Sequence, residues 1–137
     1  MLSAFIQELI NNNPKKLFLY DGLGALLSAF LMGVVLVKLE WLTGIPKSSL
    51  YFLAFIPCLF FAFDFYNYRK DDGNISTPLR TIAILNLLYC CVSLAVAFYH
   101  FDVITSFGWI YIILEILIIV LVAGVELGVV RRLSQLT

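Results

Sequence analysis

Five polar side chains sit inside membrane-length apolar runs: Asp21, Asp64, Asn86, Glu115 and Glu126. An ionisable group at the centre of a membrane helix costs roughly 2.5–3.5 kcal/mol on insertion scales, so each needs a partner, an edge position or a task. Asp21, Asp64 and Glu126 fall within about one helical turn of the same ends of their runs. Lys15, Lys16, Arg69 and Arg131 lie just beyond them, and Arg80 opens the third run from that side. Two chemistries fit this candidate inner-rim cluster of Asp21, Asp64, Arg80 and Glu126. One is a belt of ion pairs and snorkelling side chains that ties the helix ends together. The other is an acidic vestibule that holds a proton or a cation.

Glu115 poses a different problem. It lies eight residues into the last run from the opposite side, roughly 12 Å deep at about 1.5 Å per residue. No Lys or Arg falls at that depth on any run. Glu115 and Glu126 are eleven residues apart, about three turns, so they share a helix face, with Ile119 and Val122 between them. A neutral carboxyl there can donate a hydrogen bond, and Asn86, Tyr89 and Ser93 on the third run lie at matching depth. Glu115, Asn86 and Tyr89 form the candidate polar site. It is read either as a structural interhelical hydrogen bond, worth about 0.6 kcal/mol on average, or as a proton- or ligand-binding carboxyl.

Other reactive residues carry less. Cys58, Cys90 and Cys91 have no CxxC spacing and read as small core hydrophobes. His100 and Asp102 are too few ligands for a closed metal site and read as a solvated loop pair. The sequence contains no catalytic triad, phosphate loop or carboxylate pair with identifiable reactants, so no catalytic residue, metal or cofactor is expected. Asn74 to Ser76 matches a glycosylation pattern, on the wrong side for it.

The elements that must position these groups follow from composition. The chain has 137 residues, 62% hydrophobic and 13% charged, against about 45–50% and about 25% in soluble domains. A bilayer core about 30 Å thick needs about 20 apolar residues per helix. The apolar runs cover residues 17–37, 49–66, 79–99 and 107–130. With backbone groups satisfied within each segment, helices are the reading and a barrel is not. The predicted fold is an all-α, four-transmembrane-helix bundle in a single domain, with spans near 17–38, 47–68, 78–100 and 106–131 and a tail over 1–13. Leu2, Phe5, Ile6, Leu9 and Ile10 give the tail a helical apolar stripe, read as a short interfacial helix or a frayed end.

Seven basic residues, Lys15, Lys16, Arg69, Lys70, Arg80, Arg131 and Arg132, fall on one side, and only Lys38 and Lys47 on the other. The positive-inside rule predicts cytoplasmic termini. Gly44 and Pro46 mark a tight outer turn. Asn11 to Pro14 end the tail and Asp71 to Asn74 form an inner loop. Ser76 or Thr77 is predicted to cap the third span, and Thr105 or Ser106 the fourth. Trp41, Tyr51, Tyr99, Trp109 and Tyr111 are read as outer interfacial aromatics, and Tyr20, Tyr66 and Tyr68 as inner ones. Ala25, Ala29 and Gly33 form a small-residue face on span one, and Gly124 with Gly128 a GxxxG pair on span four, suited to packing within the chain or to a dimer. Pro57 is expected to kink span two and release the Leu53 carbonyl. Zero net charge gives no nucleic-acid signal.

The stretches Asp21-Gly22-Leu23-Gly24-Ala25, Leu50-Tyr51-Phe52-Leu53-Ala54 and Asn86-Leu87-Leu88-Tyr89-Cys90, with the Glu115…Glu126 ending, resemble an uncharacterised family of small bacterial four-span integral membrane proteins. The resemblance implies a bacterial inner membrane and four spans, and no activity or site. Small multidrug exporters share the size and span count, but this chain lacks their central Glu in span one. The expectation is a non-enzymatic accessory or scaffold component, whose partners are the lipid bilayer and a further copy or a larger membrane protein. The alternative is a small proton- or cation-coupled carrier using Glu115. A membrane enzyme acting on a lipid or quinone is the weakest reading.

Overall fold

A computed structural model describes residues 15–70 and 74–135, together with Ala4, Ile6, Gln7, Glu8 and Asn11. All regular structure among them is helical. Helix α1 runs Lys16–Leu36, α2 is the short Glu40–Thr43, and α3, α4 and α5 are Lys47–Arg69, Ser76–Tyr99 and Ser106–Gln135. Helices α1, α3, α4 and α5 have 21, 23, 24 and 30 residues and are long and apolar enough to cross a membrane. Their outward faces are those of a chain solvated by lipid: Leu27, Phe55, Ile118 and Leu121 are all exposed. Helix α5 continues past the predicted end at 131 and carries Arg131 and Arg132 in its final turns.

The bundle is two helical hairpins laid side by side. Helix α1 packs along α3, and α4 along α5, whereas α3 and α4 touch more lightly. In the first hairpin an added Cβ at Gly22 would lie 3.2 Å from the Asp64 Cβ, and one at Gly33 would lie 3.3 Å from the Ala54 Cβ. Small residues on α1 therefore bring the backbones close, where dispersion holds them. The predicted face on span four behaves differently. Gly128 meets Ile6, and Gly124 faces open space.

The hairpins are clasped at the end opposite the termini. The Thr105 amide donates to the Thr43 carbonyl at 2.9 Å, and the Thr105 hydroxyl to the Leu42 carbonyl at 2.6 Å. The same hydroxyl accepts from the Gly108 amide at 3.3 Å, so Thr105 caps α5 as its sequence position suggests. Gly44 ends α2 with φ +74°, and a Cβ there would sit 1.9 Å from the Val103 carbonyl oxygen. Ser49 and His100 share a hydrogen bond at 3.0 Å, so His100 joins the clasp rather than pairing with the exposed Asp102. At the other end Ile6, Leu17, Phe18, Leu79, Ile82, Val129 and Val130 form a closed apolar cluster. Arg132 donates to Gln7 at 2.9 Å there. Ile6 thus docks against α5. The rest of the predicted tail stripe (Leu2, Phe5, Leu9 and Ile10) and the breakers at 12–14 and 71–73 lie outside the described residues.

Two local features depart from the sequence reading. The last turns of α1, Leu31–Leu36, are π-helical, a form common beside functional sites. Nothing in their composition marks this. At the start of α4 neither Ser76 nor Thr77 supplies the cap; the Asn74 side chain accepts from the Thr77 amide at 3.5 Å. Pro57 lies inside α3, which stays helical past it to Arg69. Gly44→Ala is expected to lower unfolding stability by about 1–3 kcal/mol, the usual cost of a side chain forced into that conformation. Gly24→Ala, at a position open to at least 4 Å, is expected to leave it unchanged. Thermal unfolding of both variants in detergent checks the pair.

Candidate functional site

Each of the four long helices sends one polar side chain to a common point near the end that carries the termini. Asp21 comes from α1, Asp64 from α3, Asn86 from α4 and Glu126 from α5. Asp64 and Glu126 are fully buried and Asp21 is 8% exposed. The Asn86 amide donates to Asp21 Oδ1 at 3.0 Å. Asp64 and Glu126 both lie against Asp21. The glycine at position 22 allows this convergence, because it admits the Asp64 side chain beside α1.

Among the described residues no cation joins them. Asp21 Oδ2 and both carboxyl oxygens of Asp64 and Glu126 are buried without a hydrogen-bond partner. The belt of ion pairs is therefore not what the helices build, and the inner-rim cluster loses Arg80. Arg80 is exposed; it precedes Asn86 by six residues, about 240° around the helix at about 3.6 residues per turn. Arg69 instead lies over the Phe65 ring, 5.8 Å from its centroid, and the Lys15 ammonium donates to the Lys70 carbonyl. Carboxyls in mutual contact in an apolar interior repel when charged. Shared protons or a bound monovalent cation hold such a group together. Among the described residues no three His, Cys, Asp or Glu side chains converge as metal ligands.

A second acidic centre lies nearer the clasp. Tyr89 on α4 donates to Glu115 Oε1 on α5 at 3.0 Å. The same hydroxyl is 3.4 Å from the Leu53 carbonyl and 3.4 Å from the Met32 sulfur. Pro57 has no amide hydrogen, so the Leu53 carbonyl is free of its usual helical donor. One hydroxyl hydrogen serves one acceptor at a time. With Glu115 as carboxylate, Tyr89 donates to it. With Glu115 protonated, Tyr89 can accept that proton's hydrogen bond and turn its own hydrogen to Leu53. Ser28 and Tyr111 also face Glu115, whose Oε2 is buried and unpartnered, as is the Ser28 hydroxyl oxygen.

The structure thus divides the candidate polar site. Tyr89 joins Glu115, whereas Asn86 serves Asp21. Tyr111 faces Glu115 instead of marking an interface. The sequence carried a signal for both missed residues: Ser28 is seven after Asp21 and Tyr111 four before Glu115, spacings that keep each pair on one helix face. Cys90 is buried, while Cys58 and Cys91 lie on the apolar outer surface, all as free thiols.

A cavity of about 340 Å³ joins the two centres. Asp21 and Asn86 border one end, and Ser28, Tyr89, Tyr111 and Glu115 the other. Leu27 and Leu31 of α1 face Leu114, Ile118 and Val122 of α5 across it, over a floor of Pro57 and Phe60. It lies between α1 and α5, which touch through Asp21 with Glu126 and Ser28 with Glu115 but pack less closely than the helices within each hairpin.

Comparison of the chain with protein families, with curated proteins and with solved structures finds no match. Function is therefore argued from the geometry. Asp64→Asn is expected to leave the unfolding temperature equal or higher, since a neutral amide of the same size replaces a carboxyl that lacks a counter-charge. Loss of a true ion-pair partner would instead cost about 3–5 kcal/mol, and thermal unfolding distinguishes the two.

Proposed function

We propose that this protein is a small proton- or cation-coupled carrier of the bacterial inner membrane, with both termini in the cytoplasm. The observation that carries the reading is the cavity bordered by Asp21 and Glu115, two acids from different helices with unpartnered oxygens. Among the described residues its lining includes no Lys or Arg. A purely structural hydrogen bond needs no cavity, whereas a carrier needs a binding space in contact with a group that exchanges its charge. The Tyr89 hydroxyl supports the same reading, because its alternative acceptors give Glu115 a partner in either protonation state. The seven basic residues at the terminal end, against two at the other, support the orientation.

The carrier works by exchange. Protons on Glu115 and on the Asp21, Asp64 and Glu126 group keep the empty site neutral. An incoming ligand takes over the charge balance, and the proton leaves. Proteoliposomes holding a trapped pH dye test this against amines, organic cations, neutral solutes and anions. A coupled solute is expected to discharge an imposed pH gradient with the native chain and to fail with Glu115→Gln. Retention of coupling in that variant would remove Glu115 from the mechanism.

An accessory or scaffold role is the second reading, favoured by Gly124, a small residue on α5 facing open space where a neighbouring helix could approach. It predicts that no solute discharges the gradient, and that native mass spectrometry of the protein released in mild detergent finds a stoichiometric protein partner.

A further inference from the structure

We infer that the cavity takes a lipophilic monovalent organic cation, which enters sideways from the bilayer between α1 and α5. The inference rests on the carrier reading and gives it a substrate class.

Charge sets the sign of the ligand. Asp21 is more than nine-tenths buried, and its Oδ2 has no partner. Glu115 Oε2 is buried and unpartnered at the other end. Asp21 is faced by Asn86 from α4, Asp64 from α3 and Glu126 from α5. Glu115 is faced by Tyr89 and Cys90 from α4, Ser28 from α1 and Tyr111 from its own helix. None of these groups is a base that would neutralise an acid. An anion would meet two carboxyls with no basic side chain among the described lining residues.

The walls set the rest of the chemistry. Most of the lining is aliphatic or aromatic, so a polyol would lose more hydrogen bonds to water than the few polar groups could return. The rings of Phe60 and Tyr89 meet edge to face, with centroids 6.1 Å apart, and Tyr20 and Tyr111 add two more to the lining. Aromatic faces favour an organic cation over a hydrated inorganic one. The volume suits a small organic molecule.

The route follows from what is closed. The apolar cluster around Ile6, Leu79 and Val129 covers the terminal end. The clasp and the cluster of Met32, Leu36, Leu53 and Ile112 cover the other. What remains is the side, where Leu27, Leu114 and Ile118 form exposed apolar lips. A lipid-soluble cation concentrates in the bilayer that bathes this opening. On binding, a carboxyl O–H bond breaks, its proton passes by way of Asp21, which keeps 8% of its surface exposed near the terminal end, to the water there, and the carboxylate so formed pairs with the cation.

The test is equilibrium binding to the purified full-length protein in nanodiscs. The probes are tetraphenylphosphonium and tetraphenylborate, ions of matched shape and opposite charge. The phosphonium ion is expected to bind saturably, to release protons and to bind less tightly as the pH falls. Its affinity is expected to drop by about tenfold or more in Glu115→Gln or Asp21→Asn, a loss of about 1.4 kcal/mol or more. Gly24→Phe fills the lateral opening from a position where an added Cβ meets nothing within 4 Å. It is expected to keep the native unfolding temperature and lose phosphonium binding. Equal binding of both ions, or no saturable binding of the phosphonium, overturns the inference. If a neutral or anionic solute discharges the proteoliposome gradient through Glu115 while the phosphonium does not bind, the substrate class falls and the carrier reading stands. If no solute of any class does so, the carrier reading itself falls.

Discussion

Among the described residues, carboxyls are buried in this bundle without a cation beside them, and much of the structure can be understood as the accommodation of that constraint. Asp21, Asp64 and Glu126 meet where four helices converge, and Asn86 supplies the one conventional donor among the described residues. In an apolar interior such a group survives only with protons or a small ligand to balance it. The surrounding residues are chosen accordingly. Gly22 admits Asp64 beside α1, and Ile82, Leu79 and Val129 wall the terminal end off with an apolar cluster. The basic residues that could neutralise the acids are held elsewhere, Arg69 over an aromatic ring and Arg80 on an exposed face.

The same constraint separates the two acidic centres. Glu115 and Glu126 share a face of α5 and meet Ser28 and Asp21 of α1, and the cavity lies between these two contacts. Hydrophobic residues line the space because a polar wall would demand partners that lipid cannot provide. The result is a cavity with carboxyls at its two ends and an apolar body. Pro57 links it to the backbone: the carbonyl it leaves free lies within reach of the hydroxyl that also serves Glu115.

The sequence made the helices plain and the site only partly so. Long apolar runs leave helix as the one economical backbone, so all four spanning helices could be read to within a few residues. Gly44 and Pro46 fixed the turn because a left-handed residue and a missing donor have few other uses. Depth along a helix was also legible, and it singled out Glu115. Azimuth was not. All four spans are apolar on nearly every side, so no periodicity told which face of α4 meets α1, and Asn86 was paired with Glu115 instead of Asp21. Arg80 was grouped with the acids on depth alone, although its angle around α4 turns it outward. The π-helical end of α1 depends on packing and left no local trace.

The division into two hairpins has a consequence for how the chain enters a bilayer. The Asn86–Asp21 bond joins the second hairpin to the first, and so does the approach of Tyr89 to Leu53. A nascent chain with only α1 and α3 inserted would hold Asp21 and Asp64 together in lipid with no amide to serve them. Arrival of α4 supplies the Asn86 amide, and the Thr105 contacts then fasten the turns. Assembly is therefore favoured by the polar groups that make each half a poor membrane protein alone. Taken alone, the first hairpin would carry two acids into lipid without the Asn86 amide that Asp21 accepts from in the finished bundle.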